Sequence, residues 1–410
     1  MTRLQDSLSR VATCSLLVAS AVVLAACPTS TSTTPEPDAT AAMGLDDILP
    51  QLFDDVVATA ASDFVDEADA LDAAVTAWAA DVTAGNDTTV SQASAQAAFV
   101  SATLSWQRLE VMQLGPLALP TTTTVQAEGL RDEVYSWPVT SPCEVDRNVA
   151  SEDFVDADFV ELKRVNVYGL DALEYLLHVD TVDNACPAPA SLNTSGDWDA
   201  LSDDDITTRR ARYAEVVADT LRQQAASVVD KLDAYRVHFV EAGQDGSDYA
   251  TQADALQALL DALFYLEFDA KDQKLGVVVG VHADCATDTC ADDVEHPFAE
   301  ASLRSIAANL DGFAAVFNGG DDDTVNAGIA AALTNIGEEQ LRDDVRSAIA
   351  DARAHFAQHE STVLRTLVAD DLDEARALHA SLKAVTDLLK GDLIAALTLS
   401  VPEEGGGDAD

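Results

Sequence analysis

Apolar residues recur at three- and four-residue intervals through most of this chain and almost nowhere in alternation. Leu71, Val75 and Trp78 fall at i, i+4 and i+7, and Tyr213, Val217, Leu221 and Val228 keep the same helical register. That period lays one apolar stripe along a helix, whereas a half-buried strand needs a period of two. Val277-Val278-Val279 is the only strand-like run, and it is short. Alanine, the strongest helix former, carries much of the apolar content. The expected fold class is all-α, built as two tandem helical bundles with irregular connecting segments.

Punctuation divides the chain further. Helices are predicted over 46–82, 91–113, 156–179, 204–241, 249–274, 299–317, 322–336, 339–368 and 371–389. Gly115-Pro116 and Asn318-Gly319-Gly320 read as stops. Residues 180–203 combine prolines, Gly196 and short polar side chains, which marks a boundary between an N-terminal bundle over 45–195 and a C-terminal bundle over 196–398. Residues 399–410 read as a frayed tail.

The first residues have the pattern of an export signal. Arg3 and Arg10 precede an apolar run that ends in Leu24-Ala25-Ala26-Cys27. This resembles a bacterial lipobox, with residues 1–26 removed and Cys27 lipidated; a plain signal peptide or short anchor is the alternative. Residues 27–44, rich in Thr, Ser and Pro, would then tether the body to a membrane. The expected location is periplasmic or at the outer membrane or cell surface. Cys143, Cys186, Cys285 and Cys290 would lie in an oxidising setting, pointing to disulfides Cys285–Cys290 and Cys143–Cys186.

Asp and Glu total 72 against 23 Lys and Arg, a net charge of −49. Nucleic acid and anionic lipid headgroups need basic patches, so the charge argues against both as partners. A solvated acidic shell is the plain reading of the rest.

One stretch concentrates chemistry, Tyr168-Gly169-Leu170-Asp171-Ala172-Leu173-Glu174-Tyr175-Leu176-Leu177-His178. On a helix, Leu170, Leu173 and Leu177 make an apolar stripe, and Asp171, Glu174 and His178 repeat that spacing roughly 100° further round. Two carboxylates and an imidazole in a row suit a hard or borderline cation or acid–base work. A solvated helix face is the plain alternative. Gly169, inside the predicted helix, implies close packing against its backbone.

The order of motifs resembles a known family. A Trp106-containing helix with Glu110 ends at Gly115-Pro116, then come Trp137-Pro138, Gly169 to Leu177, Lys274-Leu275-Gly276 and Glu295-His296-Pro297-Phe298. This is similar to the imelysin-like family of bacterial periplasmic and surface proteins, which includes iron-regulated protein A and has been classed among metallopeptidases. The resemblance implies two helical lobes related by duplication, with a site in the cleft between them. Its signature is Gly-x-His-x-x-Glu, matched here by Gly169 and Glu174, with Asp171 at the His position. An oxygen ligand there moves the preference from zinc or copper toward calcium, magnesium, manganese or iron.

Three functions follow. In the first, a metal ion, possibly iron, or an iron-containing ligand is held by Asp171 and Glu174 with Glu110, Glu295 and His296 from across the cleft. In the second the chain is a metallopeptidase, although His-Glu-x-x-His is absent. His355 and His359 stand at i, i+4, followed by Glu360, and are expected to face solvent rather than to chelate. In the third it is a non-catalytic surface scaffold with a lapsed site.

Overall fold

Two long helices set the architecture because each buries a stripe against a neighbour. The structure, a computed structural model, describes residues 42–120, 124–322 and 327–402. The expected signal segment, Cys27, most of the tether and the tail from residue 403 lie outside the described residues. No strand occurs among the described residues, and the fold is all-α. None of their helices is long and apolar enough to cross a membrane.

Helix α1 (Leu45–Gln51) runs through a π-helical turn, Leu52–Val57, into α2 (Ala58–Ala84). Phe64, Ala68, Leu71, Val75 and Trp78 form the buried stripe of α2. Its neighbours are α3 (Thr89–Glu110) and the long α6 (Asp203–Val240). Ser202 and Asp205 start α6 with a reciprocal capping box. Between them in the chain come α4 (Pro142–Ser151) and α5 (Leu170–His178), and α5 packs on both α3 and α6.

The second half contains α7 (Gln252–Leu263), a twelve-residue π-helix (Leu266–Val277), α8 (Ser302–Asn318), α9 (Gly328–Asn335), α10 (Glu339–Ala357), α11 (Leu364–Asp370) and α12 (Leu372–Leu388). Helix α12 packs on α10 and on the π-helix. Helix α8 joins the two halves by lying against α3. Gly312 permits that approach, because a Cβ there would stand 2.2 Å from the Arg108 carbonyl oxygen. The hydrophobic core is continuous from Met43 to Leu397.

Both expected disulfides are present, Cys143–Cys186 and Cys285–Cys290. The predicted helix over 156–179 is corrected. Its first part breaks into a single α-helical turn at Phe159–Leu162 and a 3₁₀ turn at Val165–Val167, so the continuous helix at the motif is α5 alone. Gly169 is the residue before that helix rather than inside it. The expectation of close packing there holds, since its Cβ would meet the carbonyl oxygens of Val134 at 2.9 Å and Val165 at 3.0 Å. The predicted helix over 339–368 is also two helices, α10 and α11.

Candidate functional site: a buried charged cluster

Helix α5 is buried along both of its stripes, from Leu170 to Leu177. The polar stripe therefore does not face water. Asp171 and Glu174 are 7% and 3% exposed, and Glu110, Glu295 and His296 are essentially inaccessible. Helix α3 supplies Glu110, α5 supplies Asp171 and Glu174, and the segment before α8 supplies Glu295 and His296.

That last segment is held in an uncommon shape. His296 and Glu300 both have left-handed backbones (φ 54°), which costs a non-glycine residue about 1 kcal/mol or more each. Between them the chain aims two amides at one carboxylate. Phe298 and Ala299 each donate a backbone N–H to Glu174 Oε1 at 2.8 Å. The other oxygen of Glu174 lies 3.5 Å from His296 Nδ1. Glu174 thereby ties the first half of the chain to the second.

Lys274, from the π-helix, sits at the centre with its side chain fully buried. Its Nζ is 2.9 Å from Glu295 Oε1 and 3.5 Å from Glu110 Oε2. It also donates to Asn309 at 3.1 Å and to the side-chain oxygen of Gln107, and stands 5.9 Å from the centre of the Trp137 ring. Glu295 Oε1 further accepts from Tyr135 at 3.0 Å and from Gln107 at 3.1 Å. Arg131 Nε donates to Glu110 Oε1 at 2.9 Å. Burial pushes the Glu110 carboxyl up, but Lys274 and Arg131 outweigh it and hold the group below its ordinary value. Burial pulls the His296 imidazole down, yet Glu295 and Glu174 carry it above its ordinary value.

Asp171 differs. Its Oδ1 accepts from Ser136 Oγ at 3.0 Å, and its Oδ2 is buried without a hydrogen-bond partner. No cation is paired with it among the described residues, so burial, aided by Glu174, pushes its carboxyl from 3.8 to about 7 despite Ser136. The folded protein thus holds this proton more tightly than the unfolded chain. The stability this gives is complete below about pH 4 and is lost as pH rises through about 7. Asp171→Asn keeps the Ser136 contact without an ionisable group. At pH 8 it should exceed wild type by about 1–3 kcal/mol in urea unfolding, with no gain at pH 4; parallel pH profiles would contradict this.

The remaining predicted residues have structural places. Trp106 is core, packed on Phe64 at 5.1 Å between ring centres. Trp137 precedes a cis Pro138 and covers Lys274. His178 packs on Phe99 at 5.5 Å, within electrostatic reach of Glu174 and His296, and burial lowers its affinity for a proton. Sequence reasoning missed Arg131, Tyr135, Gln107 and Asn309, which stand in no recognisable pattern. Lys274 lay in a quoted motif but carried no assigned role.

A groove of about 760 Å³ between α2–α3 and α8–α10 includes none of the five expected ligands in its lining. A small cavity of about 60 Å³ does reach His296, between Pro297, Glu300 and the Val363–Leu364 turn. No three of the five bring ligand atoms within 4.8 Å of one another. Yet Glu110 Oε2 and Glu295 Oε2 are buried without hydrogen-bond partners. Such orphaned carboxylate oxygens fit a cation in kind.

An all-α protein with acid, base and internal ammonium locked between its halves is the class that these features define. The family model for imelysin matches residues 57–391, and the chain belongs to that family. Two similar solved structures share the fold. One is an imelysin-like protein from Psychrobacter arcticum 273-4, 17% identical, covering 89% of this chain and 98% of its own, with a TM-score of 0.65. Another, assigned as an iron-regulated protein A precursor from Parabacteroides distasonis ATCC 8503, is 15% identical, covers 89% and 97%, and has a TM-score of 0.66. No curated protein sequence matches the chain.

Proposed function

We propose that this imelysin-family protein is exported, anchored through a lipid on Cys27, and binds a metal ion, iron or another divalent cation, without peptidase activity. One observation carries the binding reading: Glu295 Oε2 is a buried acceptor with no hydrogen-bond partner and Glu110 Oε2 is met by Lys274 only at 3.5 Å, in a cluster that also holds Glu174 and His296. These four residues would hold the ion only by drawing in around it, since no three of their ligand atoms stand within 4.8 Å of one another; three carboxylates with one imidazole suit a hard or borderline cation. An ion there competes with Lys274 for Glu110 and Glu295. The relative assigned to iron-regulated protein A lends iron its place in the proposal. A zinc hydrolase needs about three converging ligands and an open water position, and the cluster presents no such convergence.

A second reading has its own observation. Lys274, Arg131 and His296 face Glu110, Glu174 and Glu295 three against three, with Asp269 a further buried carboxylate beside Arg131, so most of the acidic charge is met without any ion. On that reading the protein is a surface scaffold whose ion has been replaced by lysine.

Metal analysis of untagged protein, followed by calorimetric titration with Fe²⁺ or Mn²⁺, separates the two. Wild type should take up an ion, and Glu174→Ala/Glu295→Gln should bind it at least tenfold more weakly; equal titrations would end the central-site reading. Chelator-sensitive cleavage of an unfolded protein substrate would overturn the non-peptidase part. Mass spectrometry of the membrane fraction should find an acylated N-terminal Cys27, absent in Cys27→Ser.

A further inference from the structure

The end of α10 faces the start of α12, well away from the charged cluster in sequence and chemistry. His355 lies in the last turn of α10 and His359 just beyond it. Glu374 lies in the first turn of α12, where Asp371 caps the helix and accepts the Glu374 N–H at 3.2 Å. Glu360, the carboxylate adjacent in sequence, is not the one that meets the histidines. Instead Glu374 Oε1 stands 3.1 Å from His355 Nε2 and 2.9 Å from His359 Nε2. Among the described residues this is the only group of three or more His, Cys, Asp or Glu whose ligand atoms all lie within 4.8 Å.

We propose that His355, His359 and Glu374 form a site for a first-row divalent transition-metal ion such as Zn²⁺ or Co²⁺, distinct from the central cluster. Both imidazoles direct Nε2 at a single carboxylate oxygen, so three donors from two helices already converge. Bonds of about 2.0–2.2 Å to such an ion separate tetrahedral ligand atoms by roughly 3.3–3.5 Å, so each imidazole need draw back from Glu374 Oε1 by only a few tenths of an ångström, while the two imidazole nitrogens already lie within 4.8 Å of each other. Two imidazoles and one carboxylate form a borderline donor set, which favours these ions over calcium or magnesium. The side chains remain 22%, 14% and 37% exposed, which gives an ion entry and leaves water the other coordination positions. Thr362 Oγ1 lies 3.5 Å from His359 Nδ1, where it helps to orient the ring.

The contrast with the centre is chemical. There a buried lysine already occupies the space between the carboxylates. Here no lysine or arginine is paired with Glu374 among the described residues, and only the imidazoles face it. Without metal, both Nε2 atoms must carry hydrogen to bond that oxygen; with metal, both lose it and become ligands. The acidic surface raises the local concentration of cations around the opening.

The test uses untagged full-length protein, stripped with chelator and titrated with Co²⁺ and then Zn²⁺. Wild type should develop the visible ligand-field absorption of low-coordinate Co²⁺, bleached by one equivalent of Zn²⁺. His359→Gln and Glu374→Gln should each lose that absorption and bind Zn²⁺ at least tenfold more weakly, with unfolding curves confirming that both fold. Glu360→Gln, which removes the neighbouring carboxylate that does not meet the histidines, should keep the band. A colourless wild type, or an unchanged Zn²⁺ affinity in both variants, overturns the site. Ion uptake lost only in Glu174→Ala/Glu295→Gln would sink this proposal and keep the central one, and loss only in the His359 and Glu374 variants would do the reverse.

Discussion

Lys274→Met should destabilise the protein by about 3–5 kcal/mol, read as a lowered urea midpoint at neutral pH. Methionine fills nearly the same volume with an unbranched side chain, so packing changes little. What disappears is the ammonium 2.9 Å from Glu295 and 3.5 Å from Glu110, where all three side chains are shut off from bulk solvent. Gln107 and Asn309 lose a shared donor as well. Removing one member of a buried ion pair costs far more than the pair itself is worth, because the remaining charge stays buried alone.

The same variant decides between the two functional readings. With the internal cation gone, Glu110 and Glu295 have an unmet need that a metal ion can meet. If the cluster binds one, Mn²⁺ or Fe²⁺ at about a hundred times the dissociation constant should return roughly 2.7 kcal/mol. Restoration in Lys274→Met, exceeding any gain in wild type, supports competition between lysine and metal. An unrescued variant leaves the cluster as a purely internal charge network.

Periodicity was enough to read the helical class, because a stripe of Phe64, Leu71, Val75 and Trp78 can bury itself in few other ways. It could not say what covers a polar stripe. Asp171 and Glu174 repeat at the spacing of a water-facing surface, and distant residues folding over them make that surface interior, Ser136 at Asp171 and the segment 294–300 at Glu174. The family resemblance assembled Glu110, Glu295 and His296 beside them, which composition and spacing alone could not do. Lysine and arginine patterns carry no mark of burial, so Lys274 and Arg131 as neutralising cations were invisible. The His355–His359 spacing was visible, but its carboxylate comes from the next long helix, and nothing local in sequence links Glu374 to them.

The back of α5 depends on a second buried pair, and Asp146→Ala should show how far the motif depends on it. Asp146, on α4, accepts from Arg210 at 2.9 Å through Oδ1, and from Tyr175 at 2.6 Å and the Ala185 N–H at 2.8 Å through Oδ2. Both charged side chains are buried, and Arg210 also donates to the carbonyl of Asp183 and lies over the rings of Tyr175 and Trp198. Tyr175 is the residue after Glu174, so this network fixes the rotation of α5 about its axis. Alanine at 146 strands the guanidinium and two other donors, for an expected loss of about 3–5 kcal/mol in urea unfolding. Asp146→Asn keeps one acceptor oxygen, replaces the other with an NH2 donor and removes the charge, and should lose less than alanine. The pairing of Cys143 with Cys186 holds α4 near the Ala185 amide, so the variant should still fold at low temperature. If Asp146→Ala unfolds within 1 kcal/mol of wild type, Arg210 has found another partner and the network does not position the motif. If stability falls as expected while hydrogen exchange of the Phe298 and Ala299 amides also speeds up, the disturbance has travelled through Tyr175 and Glu174 to the strained segment beside His296.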